Sequence, residues 1–179
     1  MNIPEFAIDT ERLHLRLARL EDAEALAGLI TPGISRWVAA WPYPTTVEIA
    51  RSLISSRLDS AADVRIWPMV ITARAEGGII GWLGLEQSES DAGVLELGYW
   101  IAENAQGKGY AFEAASASVD TAFSRLGANA VEAGAQPENA VSHHLLKKLG
   151  MKEAGERLVY APSRNRHENC RFWRKDKPA

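Results

Sequence analysis

Gln106-Gly107-Lys108-Gly109-Tyr110-Ala111 lies between an apolar run, Val94-Leu95-Glu96-Leu97-Gly98-Tyr99-Trp100-Ile101, and a segment in which Phe112, Ala115, Val119, Phe123 and Leu126 recur at helical spacing. The run before it is rich in β-branched and aromatic residues and reads as a strand; the segment after it reads as an amphipathic helix. The six residues therefore make a turn that opens a helix N-terminus. There the first backbone N–H groups lack intrahelical acceptors and the helix dipole is positive, so an anion binds without an essential basic side chain. Gly107 and Gly109 have no Cβ to hold a phosphate away from those amides, and Ala111 is nearly as small. A strand, a glycine turn and a helix also describe dinucleotide-binding folds and ordinary helix starts. Two stricter fingerprints are absent: G-x-x-x-x-G-K-[ST] occurs nowhere, and G-x-G-x-x-G fails at Phe112.

Outward from this turn the chain alternates strand-like and helix-like segments. Leu13 to Leu17 alternates as a half-buried strand, and Asp22 to Ile30 places Ala23, Leu26, Ala27 and Ile30 on one helical face, ended by Thr31-Pro32-Gly33. Thr45-Thr46 caps a second helix through Val47, Ala50, Ile54 and Leu58. Ile66 to Thr72 and Gly78 to Leu85 read as two strands of a hairpin turning at Gly77-Gly78. Beyond the central helix come a short strand at Ala130 to Ala135, a helix from Asn139 to Leu149 closed by Gly150, and two strand-like runs around the polar loop Ser163 to Asn169. The reading is α/β (α+β), with a mixed sheet and no repeat or linker to divide it.

The chain has 179 residues, 46% hydrophobic and 24% charged, with a formal net charge of -3. These are values of a globular domain long enough to bury a core. The negative balance argues against nucleic acid, whose phosphate backbone requires clustered positive charge. Cys170 is the lone cysteine, so neither an intramolecular disulfide nor a zinc site of ordinary Cys and His spacing can be written, and no metal is expected. Met1 to Phe6 has no basic or apolar targeting region, and no apolar run approaches the ~18 residues of a membrane span, so the expected compartment is the cytoplasm.

Gln106-x-x-Gly109-x-Ala111 matches Q/R-x-x-G-x-G/A and resembles the acetyl-coenzyme A pyrophosphate loop of the GNAT acetyltransferase superfamily. Thr10-Glu11-Arg12-Leu13-His14-Leu15-Arg16 resembles the T-E-R-L-x-L-R opening of its RimJ/RimL branch, named for enzymes that acetylate ribosomal-protein N-termini. Glu96-Leu97-Gly98-Tyr99-Trp100-Ile101, then Asn139-x-x-Ser142, then Lys148-Leu149-Gly150-Met151 follow in the order found there. The resemblance covers residues 8–175 as one N-acetyltransferase domain. It implies a central sheet of about six or seven strands, splayed at its middle and flanked by about four helices, with the pantetheine arm of acetyl-CoA in the splay.

That resemblance assigns the cofactor site to Gln106, Gly107, Lys108, Gly109, Tyr110 and Ala111, to the backbone of Trp100, Ile101 and Ala102, and to Asn139 and Ser142. Ala133-Gly134-Ala135 offers the small side chains an inserted arm needs opposite that strand. Transfer to an amine requires a base for the amine and a partner for the departing sulfur. Glu96, an ionisable group in an otherwise apolar strand, is the candidate base, accepting a proton through water; the other reading is a salt-bridge anchor. Many relatives carry a tyrosine acid where this chain has Leu146, which leaves the Ser142 hydroxyl as the candidate sulfur partner or a pantetheine contact. Asn139 suits either the pantetheine arm or a helix N-cap. His143 and His144 diverge by about 100°, so at most one faces the cofactor, and Lys147 and Lys148 could serve a coenzyme A phosphate or the helix dipole.

Trp37, Trp41 and Tyr43 stand in a helix-to-helix connection that forms an acceptor wall in this superfamily; packing or a dimer contact is the other reading. The acid found near the last hairpin in RimL-like enzymes has no counterpart in Leu158-Val159-Tyr160. Three functions follow: an N-acetyltransferase for a protein N-terminal α-amine, the same chemistry on an amino acid, polyamine or antibiotic, or a noncatalytic acyl-CoA-binding protein. The partner is an amine acceptor, with the protein a monomer or homodimer.

Overall fold

The computed structural model describes residues 6–60 and 65–178. Met1 to Glu5, most of the segment read above for targeting signals, lie outside them. In chain order the elements are β1 Ala7–Asp9, β2 Leu13–Leu17, α1 Ala23–Leu29, α2 Pro32–Ser35, α3 Val47–Ser60, β3 Ile66–Ala73, β4 Ile79–Gln87, β5 Val94–Ile101, α4 Tyr110–Ser124, β6 Ala130–Ala135, α5 Ala140–Lys148, β7 Lys152–Ala161 and β8 Arg166–Asp176. The strands form one sheet of order β1-β2-β3-β4-β5-β6-β8-β7. Every neighbouring pair is antiparallel except β5 and β6, which α4 connects in parallel.

Alternation along β5 sends its side chains into two cores. Leu95, Leu97 and Ile101 pack with Leu83 and Leu85 of β4, with Ala115 and Val119 of α4 and with Leu146 of α5. Trp100 packs on the opposite face with Val70, Trp82, Leu26, Ile34, Trp41 and Ile54, so α1 to α3 cover that side. Leu26 and Ile54 are fully buried, each contributing roughly 1.5–3 kcal/mol through removal from water. Pro68 is tolerated inside β3 because β2 has ended beside it. Its carbonyl accepts from Ala18 N at 2.8 Å, and the N–H it lacks falls past the last β2 partner, Leu17.

The described residues form eight strands rather than six or seven, and five α-helices rather than four. The added strand is β1, three residues paired only to β2. The added helix is α2: Pro32 stands in its first turn and Thr31 caps it, its hydroxyl accepting from Ile34 N at 3.2 Å, so the Thr-Pro pair read as a stop begins a new turn. The expected polar loop at 163–169 is shorter, because β8 already begins at Arg166.

Candidate active site

β5 and β6 pair over three residues only: Val94 with Ala130, Leu95 with Val131, Glu96 with Glu132. Beyond this β5 stays bonded to β4 as far as Ile101, and β6 to β8 as far as Ala135. The two central strands part, each with one unpaired edge. Ser88 N donates to Val94 O (3.0 Å) and Ala102 N to Ile80 O (2.8 Å). Strand alternation then turns the backbone of even-numbered β5 residues to β4 and that of Leu97, Tyr99 and Ile101 to the gap. On β6, Lys177 N donates to Asn129 O at 2.8 Å, which by the same alternation leaves Gly134 facing the gap. The backbone contacts expected at Trp100, Ile101 and Ala102 are thus corrected. Ile101 faces the gap as expected, whereas the backbones of Trp100 and Ala102 are spent on β4 and those of Leu97 and Tyr99 border the gap.

Gly107 and Gly109 have φ of 76° and 82°, a region that a Cβ disfavours. The first backbone bond of α4 runs from Glu113 N to Gly109 O at 3.1 Å, and the amides of Gly107, Lys108 and Gly109 donate to no described residue. Gln106 Nε2 donates to Ile101 O at 2.9 Å, closing the turn between strand and loop. Lys108 is drawn away to Glu76, 2.7 Å distant.

The N-terminal motif buttresses this loop. Glu113 accepts from Thr10 Oγ1 at 2.6 Å, Arg12 N at 2.9 Å and Arg12 Nε at 2.7 Å. Arg12 Nη1 donates to Lys108 O at 2.9 Å, and its guanidinium lies 4.8 Å over the Tyr110 ring. Burial pushes the Glu113 carboxyl up, but the Thr10 and Arg12 bonds outweigh it and hold it below the ordinary value.

On the α4–α5 side of the gap, Ser142 Oγ lies 3.1 Å from Tyr99 Oη. Asn139 Oδ1 accepts from Ser142 N at 3.1 Å and caps α5. His143 is fully occupied: Trp173 Nε1 donates to its Nδ1 at 3.0 Å, so its Nε2 carries the proton given to Gln136 O, also at 3.0 Å. Lys148 stacks on Phe112 with Nζ 4.4 Å from the ring centroid.

The α1–α3 side has three rows across β4 and β5: Trp82 beside Trp100, Gly84 beside Gly98, Glu86 beside Glu96. Trp41 packs edge-on against both Trp82 and Trp100, at 5.4 Å and 5.6 Å between centroids. The glycine pair leaves a trough without side chains, and a Cβ on Gly98 would meet nothing within 4 Å. Arg57 neutralises Glu86 at 2.6 Å. Glu96 accepts from Ser88 Oγ at 2.9 Å and has no cationic partner among the described residues. It is half-buried and borders the cavity, a wetter setting than its apolar strand implied. On the lining of the same cavity, Arg164 pairs with Glu168 at 2.7 Å and donates to Ser35 O (2.8 Å) and Val38 O (3.1 Å). This clasp ties the β7–β8 turn to the segment between α2 and α3.

A model of the acetyltransferase (GNAT) domain matches residues 12–152. An N-acetyltransferase of Bacillus licheniformis named p20 is 32% identical over 158 residues, 88% of each chain. The chain belongs to the GNAT acetyltransferase family. RimJ of Mycobacterium smegmatis, solved with CoA-disulfide, shares its fold with a TM-score of 0.84 at 22% identity, over 97% of this chain and 88% of that one. An acetyltransferase from Salmonella typhimurium that modifies the N-terminal serine of ribosomal protein L7/L12 has a TM-score of 0.82 at 15% identity, covering 97% of this chain and 100% of the other.

In this GNAT chain one cavity of about 990 Å³ collects Glu96, Trp100, Ile101, Gln106, Gly107, Gly109, Tyr110, Ala111, Asn139, Ser142, Trp37 and Trp41. Ala102, Lys108 and Tyr43 lie off its lining. Tyr43 is 56% exposed and turned to solvent, whereas Trp41 is 4% exposed and serves the core as much as the wall. Tyr99, Arg12 and Glu113 were not singled out by sequence. Alternation groups Tyr99 with Leu97 and Ile101 but does not say which edge that group faces; Glu113, about 100 residues from Thr10 and Arg12, offered no local signal. Among the described residues no His, Cys, Asp and Glu cluster suits a metal ion, and no helix is long and apolar enough to cross a membrane.

Proposed function

We propose that this GNAT enzyme transfers the acetyl group of acetyl-CoA to the α-amine of a protein N-terminus, through residues 8–175 as one catalytic unit in the cytoplasm. One observation carries the acyl-CoA part: the unpaired edges of β5 and β6 run toward the unpartnered amides of the Gly107–Gly109 turn. An arm bearing amides finds strand-like partners at Leu97, Tyr99, Ile101 and Gly134, and a pyrophosphate finds the N-terminus of α4. Glu96, on the α1–α3 face, takes the proton of the incoming amine through water. The amine nitrogen bonds to the thioester carbon, and a β5 N–H bordering the gap steadies the oxyanion. The carbon–sulfur bond then breaks with its electron pair on sulfur, and the Ser142 hydroxyl meets the developing thiolate.

The protein acceptor is supported by the fold shared with RimJ and the L7/L12-modifying enzyme, and by the stiff aromatic wall of Trp37, Trp41, Trp82 and Trp100. The Arg164 clasp across the acceptor side favours a second reading, a small amine held in a bounded pocket. Release of free CoA measured across peptides, polyamines, amino acids and aminoglycosides separates them. Turnover with unblocked peptides and not with N-acetylated ones supports the protein acceptor. Turnover confined to small amines replaces it with the second reading, and binding of acetyl-CoA with no turnover on any amine makes the chain a noncatalytic acyl-CoA binder.

A further inference from the structure

We infer that Tyr99 is a positioning residue for acyl transfer, its phenol donating to Ser142 Oγ and so directing the Ser142 proton to the departing sulfur. The inference rests on the reading of Ser142 as the partner of that sulfur.

The two hydroxyl oxygens are 3.1 Å apart, and Tyr99 Oη has no other partner among the described residues. Ser142 is fixed at the start of α5, where Asn139 Oδ1 holds its backbone N–H. A serine hydroxyl has one proton and two lone pairs, and without a second contact its rotor is free. A phenol is the more acidic hydroxyl and the better donor, so the bond runs from Tyr99 to Ser142. With one Ser142 lone pair occupied, its proton is left for a third group.

The location fits the task. Tyr99 lies on β5, its backbone faces the gap, and both Tyr99 and Ser142 border the cavity. Leu146, where a helix-borne phenol would otherwise stand, is 1% exposed in the α4–α5 core, so among the described residues the phenol that reaches Ser142 comes from the strand. Burial pushes the Tyr99 phenol above its ordinary value, against a smaller opposing effect of Ser142, and it stays a protonated donor through the neutral range. It therefore keeps its proton during turnover. The carbon–sulfur electron pair goes to sulfur, the Ser142 O–H hydrogen-bonds the growing charge, and the thiolate is protonated by solvent after release.

The experiment is a double-mutant cycle in kcat with a peptide acceptor, with the acetyl-CoA KM followed in parallel. Tyr99→Phe keeps the ring and removes the donor. It is expected to lower kcat about five- to tenfold, with Ser142→Ala lowering it about ten- to a hundredfold and the acetyl-CoA KM near wild type in both. The double variant should be no slower than Ser142→Ala alone, because without the serine the phenol has nothing to orient. Losses that multiply, or a Tyr99→Phe enzyme with intact kcat beside a slow Ser142→Ala, overturn the inference and leave the Ser142 reading standing. An intact kcat in Ser142→Ala removes that reading and the role of Tyr99 together.

Discussion

Glu96 and Glu132 are the last partners between β5 and β6, and their side chains share one face of the sheet at the point where the strands part. Two carboxylates so placed repel one another, and the chain treats them differently. Glu132 is met by Arg157 at 2.8 Å and Arg174 at 3.0 Å. Burial pushes its carboxyl up, but the two guanidinium groups outweigh that and hold it below the ordinary value. Among the described residues Glu96 is given only the Ser88 hydroxyl, and it borders the cavity. One acid is neutralised at the end of the pairing, and the other stands beside the cavity with no cation against it among the described residues.

Glu96→Gln should therefore keep acetyl-CoA affinity, measured by calorimetry, while kcat falls by about a hundredfold, the lower range for loss of a positioned base. Wild-type turnover in this variant would reduce Glu96 to an anchor for Ser88.

Gly109→Val should abolish acetyl-CoA binding, because φ of 82° excludes a β-branched residue and the new side chain would stand among the amides of the turn. Lys108→Ala should change affinity far less, since that ammonium is paired with Glu76. Calorimetry on folded protein decides both, and unchanged affinity in Gly109→Val would end the phosphate assignment.

Arg12 and Glu113 should act as a unit on the same loop. Either Arg12→Ala or Glu113→Gln is expected to weaken acetyl-CoA binding about tenfold, with the double variant close to either single one. Arg12→Lys should recover little, because an ammonium cannot serve both Glu113 and the Lys108 carbonyl as the guanidinium does. Independent, multiplying effects would show that the clamp does not hold the loop.

The Arg164–Glu168 clasp predicts a pH dependence. Arg164 holds the Glu168 carboxyl at about 2 against opposing burial, with Arg166 and Gln136 adding, from an ordinary value of 4.5. The unfolded chain thus takes up the proton first as pH falls. The stabilisation is complete above 4.5 and is lost progressively from there toward 2. Melting temperatures of wild type and Glu168→Gln should differ at neutral pH and converge near pH 2. A difference that persists undiminished at that pH would assign it to packing rather than charge.

Much of this was legible in the sequence because the deciding signals are local. The apolar run, the glycine turn and the helical period place β5 and α4 without knowledge of their neighbours. Asn139 shows how local a signal can be: its cap on Ser142 N spans three residues. What was not legible depends on partners distant in sequence. Which edge of β5 is free is decided by β4, so Trp100 and Ala102 could not be told from Leu97 and Tyr99 by residue type. Tyr43 was expected at the wall for its aromatic neighbourhood, but the turn around it faces solvent. Thr31-Pro32 was ambiguous in kind, since proline both ends one helix and suits the first turn of the next.

The parting of β5 from β6 gives the cofactor a structural meaning as well as a chemical one. If the proposed arm pairs with Leu97, Tyr99 and Ile101 on one side and Gly134 on the other, it acts as an inserted strand that bridges the two halves of the sheet beyond Glu96 and Glu132. Thermodynamic linkage then makes the resistance of the fold to heat a gauge of acetyl-CoA supply, gaining ~2.7 kcal/mol at a hundredfold excess over Kd. Amide exchange should slow at those four positions before it slows elsewhere when acetyl-CoA is added.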